Sequence, residues 1–107
     1  MIVSNCYDLF ELDKFLHFPV HLSFYEKEDD IKGMMWENID STHSIRLNLH
    51  NINKTVYPNR CFKRVLLHEL AHSLAFTIHG SHSHDADWRR VLRKLKDNQK
   101  AIFNMRV

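Results

Sequence analysis

Hydrophobic and polar residues along this chain fall into two different periods. In residues 7–18, YDLFELDKFLHF, the residues Leu9, Phe10, Leu12, Phe15 and Leu16 recur at helical spacing and Pro19 follows as a stop, which predicts a helix. The period then changes to two. In VHLSFY, residues 20–25, Val20, Leu22 and Phe24 alternate with His21, Ser23 and Tyr25, the signature of a half-buried strand. GMMWENI, residues 33–39, predicts a weaker strand. SIRLNL, residues 44–49, predicts a clear one, with Ile45, Leu47 and Leu49 on one face and Arg46 and Asn48 on the other. Between the strands, EKEDD reads as a solvated turn and NIDSTH as turn chemistry, and HNINKTVYPN breaks the pattern.

Helical spacing returns over about residues 60–78. There Val65, Leu66, Leu70, Leu74 and Ile78 recur with Ala71 and Ala75 between them, Pro58 stands near the start and Gly80 is a natural stop. This helix is apolar enough to be buried. From Asp85 onward, Trp88, Val91, Leu92, Leu95, Ile102 and Phe103 share one side of a last helix, with Arg89, Arg90, Arg93, Lys94, Lys96 and Lys100 elsewhere. The order is one N-terminal helix, a small three-stranded sheet, a central helix and a C-terminal helix, an α+β class. A chain of 107 residues has room for one modest core, so a single domain over residues 1–107 is expected.

The net charge of +2 hides an asymmetry. Residues 1–59 carry five Lys and Arg against nine Asp and Glu, and residues 60–107 carry ten against four. An acidic partner such as DNA would meet the C-terminal half; a solvated basic face is the plainer reading of the same residues. The first residues lack the basic flank and apolar run of a signal peptide. No stretch approaches the roughly 20 apolar residues of a membrane span. A cytoplasmic location, no membrane contact and a monomer are expected. Cys6 and Cys61, two cysteines with no Cys-x-x-Cys pair, read as free thiols in a reducing compartment.

The central helix carries the chemistry. His68 and His72 lie four apart, hence on one helix face about 5 Å from each other, and each can turn a ring nitrogen toward one cation; Glu69 stands beside them. This is the His-Glu-x-x-His arrangement of zinc peptidases, in which the metal acidifies water and the glutamate takes its proton. With nine His and five Glu, a shuffled chain would carry the motif about 3 per cent of the time. The competing reading is a pair of satisfied core histidines, costly in a buried helix unless hydrogen-bonded. A catalytic zinc takes three protein ligands and leaves a fourth position for water. His79 lies about 10 Å beyond His72 along the axis, out of reach. The metzincin pattern would need Gly and His where Ala75 and Ile78 stand, and the gluzincin pattern needs a later Glu, of which there is none after Glu69. The return loop GSHSHDAD therefore supplies the candidates, namely His82, His84, Asp85 and Asp87.

At this point the residues carry a resemblance. VLLHELAHSLAF followed after a short loop by HDADW resembles the SprT-like zinc metallopeptidase domain, the group that includes Spartan-type proteases. GMMW and SIRLNLHNI upstream are similar to the strands that family places before its active-site helix. The resemblance implies a zincin-like fold, Zn²⁺ held by His68, His72 and His84, with Trp88 as the aromatic four residues on, and Glu69 as general base for amide hydrolysis of protein substrates, DNA-associated proteins among them. Many members continue into a cysteine-rich zinc ribbon; no second cysteine cluster stands in this sequence, and functions carried by that ribbon are not expected of it.

Several assignments stay open on sequence alone. The strand 44–49 reads either as an edge strand that pairs with extended substrate or as an ordinary sheet strand. Oxyanion stabilisation has Tyr57, Arg60 and His82 as candidates. Met34, Met35 and Trp36 read as core and rim packing, and His17, His21, His43 and His50 as surface or hydrogen-bonded residues. The alternative function is a non-catalytic module in which zinc ties the helix to its return loop, Asp85 or Asp87 closes the fourth position, and the basic helix binds nucleic acid or a protein. A zinc hydrolase acting on something other than protein is a third class.

Overall fold

The computed structural model describes residues 20–97 and Gln99. The helix expected over 7–18, with Cys6 and His17, lies outside the described residues, as do Lys100, Ile102 and Phe103. The elements are β1 (Val20–Tyr25), β2 (Gly33–Glu37), β3 (His43–Asn48), α1 (Leu49–Asn53), α2 (Pro58–His79) and α3 (Ala86–Asp97). The class is α+β, as the order of periods predicts.

The sheet order is β1-β3-β2, with β1 parallel and β2 antiparallel to β3. Central placement explains why β3 holds the most buried residues of the sheet: Ile45 and Leu47 are fully enclosed beneath α2. It also corrects the edge-strand reading of residues 44–49, because both sides of β3 are paired and, among the described residues, the outer strands are β1 and β2. Alternation in β1 holds as read, with Val20, Leu22 and Phe24 on the core side and Phe24 stacked on Phe62 of α2 at 6.1 Å. Each large aliphatic enclosed this way contributes about 1.5–3 kcal/mol.

Asn48 departs from the pattern. Alternation puts it on the outer face with Arg46, yet it is fully buried. The loop 26–32, which joins β1 to β2 past the end of β3, folds around its side chain. Asn48 Oδ1 accepts from the Lys27 amide at 3.1 Å, and Nδ2 donates to Lys27 O, Asp29 Oδ1 and Ile31 O at 2.8–3.0 Å. Asn51 Nδ2 adds bonds to Asp29 O, Asp29 Oδ1 and Ile31 O at 2.7–3.0 Å. The EKEDD turn keeps Glu26, Lys27, Glu28 and Asp30 exposed, as its charge predicts, while its backbone and Asp29 are ordered around Asn48 and Asn51. Asn51 sits on α1, five residues that sequence reading left irregular. Poor helix formers (Asn51, Asn53) in so short a segment give no periodicity, and burial of Ile52 with the Asn51 bonds holds the turn instead.

The β2 strand ends two residues before the expected boundary. Asn38 turns the chain by bonding Thr42 and Ser44, and Ser41 takes a left-handed conformation at φ 67°, leaving Ile39 in solvent. The α2 helix begins at Pro58 and ends at Gly80, whose left-handed φ of 67° is one that glycine adopts without strain. Its residues Leu66, Leu67, Leu70, Leu74 and Ala75 are buried, and the Cys61 thiol is buried and free. No helix among the described residues is long and apolar enough to cross a membrane.

Candidate metal centre

The His68 and His72 side chains stand one turn apart on α2 with their Nε2 atoms 3.2 Å from each other. The chain reverses at Gly80 and returns across α2, bringing His84 Nε2 to 3.2 Å from His68 Nε2 and 2.8 Å from His72 Nε2. Two devices hold that return. Ser81, itself buried, donates to Asp85 Oδ2 at 2.7 Å, and Asp85 Oδ1 accepts the Trp88 amide at 3.0 Å, capping α3. Capping then sets Trp88 against the cluster. Its ring centroid is 4.9, 5.3 and 4.3 Å from those of His68, His72 and His84.

Hydrogen bonding alone does not satisfy this triangle. Each Nε2 carries either a proton or a lone pair, so at least two of the three are alike, and at least one edge sets proton against proton or lone pair against lone pair. A cation accepts all three lone pairs at once. Three nitrogens bound tetrahedrally at about 2.0–2.1 Å are about 3.4 Å apart; two of the observed edges, at 3.2 Å, fall within a few tenths of an ångström of that, and the third, His72 to His84 at 2.8 Å, is shorter. Three ligand atoms lie together here with the spacing to hold a metal ion. Protonation favours the same reading: burial first and the neighbouring imidazoles second hold His72 down at about 4, and burial and then His84 lower His68. Neutral rings keep the lone pairs that a cation needs.

Glu69, one residue from His68, is buried at 7% exposure, and burial pushes its carboxyl up to about 7. No side chain among the described residues pairs with it. An ionisable group enclosed without a partner is costly to the fold, so its presence asks for a function. The carboxyl opens where two cavities meet. One, of about 400 Å³, is lined by Asp30, Ile31, Lys32, Arg64, Val65 and His68, and the other, of about 310 Å³, by Met34, Met35, His72, Ser81 and His82; Gly33 and Glu69 line both. The strand β2 thus walls a groove that runs past His68 and His72.

The other sequence candidates fall elsewhere. Asp85 spends both oxygens on Ser81 and the α3 cap, and Asp87 pairs with Arg90. His82 packs on Phe76, ring centroids 4.4 Å apart, and His79 is an exposed helix-end residue. Arg60 lies over the Tyr57 ring at 4.8 Å, about 12 Å along α2 from His68, and neither lines the groove.

Comparison with protein families gives the match to set beside this geometry: the model of the SprT-like family covers residues 6–106. The chain belongs to the SprT-like family. Comparison with curated proteins and with solved structures finds no match. In this SprT-like chain the family match spans β2, β3, the histidine cluster and α3 together. Sequence reasoning missed Ser81, whose partner is set by the loop and not by spacing. It also missed the close approach at Gly33, for which a lone glycine opening a strand was the available signal.

Proposed function

We propose that this chain is a zinc-dependent metallopeptidase that hydrolyses peptide bonds of protein substrates, with residues 1–107 acting as one monomeric domain in the cytoplasm. The observation that carries the reading is the unpartnered, buried Glu69 carboxyl beside three converging imidazole nitrogens, at the join of two cavities. His68, His72 and His84 would hold Zn²⁺, whose charge makes water a nucleophile near neutral pH. Glu69 takes the proton of the attacking water and passes it to the departing amine nitrogen. An extended substrate lies along the outer edge of β2, where main-chain pairing gives affinity with little sequence preference.

The non-catalytic alternative needs a side chain to close the metal centre, and its two named candidates, Asp85 and Asp87, are engaged elsewhere. Arg89, Arg93 and Lys96 stand exposed on α3, three and four residues apart on the side away from buried Leu95, and support a DNA-facing surface and hence DNA-associated substrates. The test is elemental analysis of protein purified without a metal-affinity tag, with cleavage of β-casein, an unstructured protein, assayed alongside. One zinc per chain with cleavage, zinc kept but cleavage lost in Glu69→Gln, and zinc weakened in His84→Ala are the results expected. A zinc-loaded wild type that cleaves nothing overturns the peptidase reading.

A further inference from the structure

We infer that His82 is a further catalytic residue, donating a hydrogen bond from its exposed ring to the substrate carbonyl oxygen as negative charge develops on it. The inference rests on the peptidase reading and adds the one role that reading leaves unfilled. A carbonyl under attack needs a donor fixed beforehand where the charge will appear, because a group that must first reorient gives back what it gains.

The cavity on the His72 side contains few side chains able to serve. Of the side chains that line it, those of Met34 and Met35 donate nothing, Glu69 is the base, and His72 belongs to the metal cluster. The Ser81 hydroxyl proton is given to Asp85. The His82 ring nitrogens make no hydrogen bond among the described residues, and His82 lines the same cavity as Glu69 and His72.

His82 is also held, though exposed. Its ring rests on Phe76 with centroids 4.4 Å apart. On one side its backbone is fixed by the buried Ser81 and the left-handed Gly80, and two residues on by His84 in the cluster. A short loop anchored at both ends holds His82 at the cavity that it lines together with Met34 and Met35 of β2. No proton leaves His82 in this role; the neutral ring suffices.

The variants His82→Ala and His82→Gln test the role, with a fluorogenic peptide taken from the casein cleavage sites and a phosphonate analogue of that peptide, whose tetrahedral oxygens imitate the charged carbonyl. Loss of one such donor costs about 10²–10³ in kcat at an enclosed site. At this exposed one His82→Ala is expected to lower kcat about thirtyfold to a hundredfold with KM within about twofold, and to weaken calorimetric binding of the phosphonate by the same factor. One zinc per chain is expected to remain. His82→Gln keeps an N–H at similar reach and is expected to recover most of both losses. Three results overturn the proposal: kcat within threefold of wild type in His82→Ala, a rise in KM alone, or loss of zinc, which would make His82 a ligand. An inactive wild type overturns the peptidase reading and this role together, whereas an active wild type indifferent to His82→Ala overturns this role only.

Discussion

Gly33 opens β2 where that strand passes close to α2, and Gly33→Ala is the substitution whose cost can be worked from distances. A Cβ at this position would stand 2.7 Å from Val65 Cγ1, 3.1 Å from Leu47 Cδ2 and 3.4 Å from Glu69 Cγ. Carbon atoms rest at about 3.5–4.0 Å, so the Val65 contact is short by about 1 Å. Val65 is β-branched on a helix and has essentially one χ1 state, so it does not swing aside; the strand moves away from the helix instead. Overpacking of this kind costs about 1–3 kcal/mol, and the smaller entropy of the unfolded alanine chain returns about 0.4–1 kcal/mol. A net loss of about 1–2 kcal/mol corresponds to a Tm lower by about 5–15 °C in a chain of this size. Calorimetry on the zinc-loaded protein reads it, and the double variant Gly33→Ala, Val65→Ala supplies the control. With the methyl group gone, the second substitution is expected to give back at least about 1 kcal/mol relative to additivity. A Gly33→Ala protein melting within about 2 °C of wild type, or a double variant whose losses simply add, would refute the claim that these two residues set the spacing of the groove.

Acid should weaken the fold through His43. Its ring is buried against Phe76 and hydrogen-bonded with Ser73 at 2.5 Å, and burial lowers its pKa, partly offset by Glu37 at 3.7 Å. The unfolded chain therefore takes up a proton that the folded chain resists, so stability holds above about pH 6.5 and falls as pH drops below it. In urea titrations of zinc-loaded protein, His43→Gln is expected to flatten that fall, and an unchanged profile would clear His43 of the effect. On α3, alanine at Arg89, Arg93 and Lys96 is expected to weaken binding to a 20-base-pair duplex and to reduce the slope of log affinity against log salt by about one for each phosphate no longer neutralised. An identical slope in wild type and triple variant would make these residues an ordinary solvated face.

The legible parts of this protein are those in which a residue answers to neighbours three, four or two positions away. The alternation of Val20, Leu22 and Phe24, the long apolar helix, Pro58 and Gly80 at its ends and the pairing of His68 with His72 are all local periodicities, and each stands in the structure where the sequence places it. What stayed illegible answers to distant neighbours. Asn48 is buried because a loop some twenty residues earlier wraps it, and α1 exists because Asn51 completes the same bonds. The order β1-β3-β2 is likewise a nonlocal fact: a chain written strand, strand, strand says nothing about the third entering between the first two. The groove falls in both classes. Its histidines are signalled by spacing, whereas its wall depends on an absent side chain at Gly33 and on Ser81 meeting Asp85 across a turn.

That division makes the third histidine a sharp test, since His84 reaches the cluster only through a loop held by Ser81 and Asp85. These restraints do not involve a metal, so the loop is expected to stay over α2 in chelator, and an edge that hydrogen bonding leaves unsatisfied then opposes folding. A bound zinc would reverse the sign. At free zinc 100 times its dissociation constant, binding to the folded chain alone stabilises by about 2.7 kcal/mol, or about 10–20 °C in Tm here. His84→Ala should forfeit most of that gain in zinc, while in chelator it removes one ring from an unsatisfied triangle and leaves Tm unchanged or slightly raised. Melting curves of wild type and variant, each with zinc and with chelator, distinguish a ligand from a packing residue. Equal loss in both conditions would mean that His84 serves chiefly to fill space beside Trp88, whose ring centroid lies 4.3 Å away, and the metal would then need a different third partner.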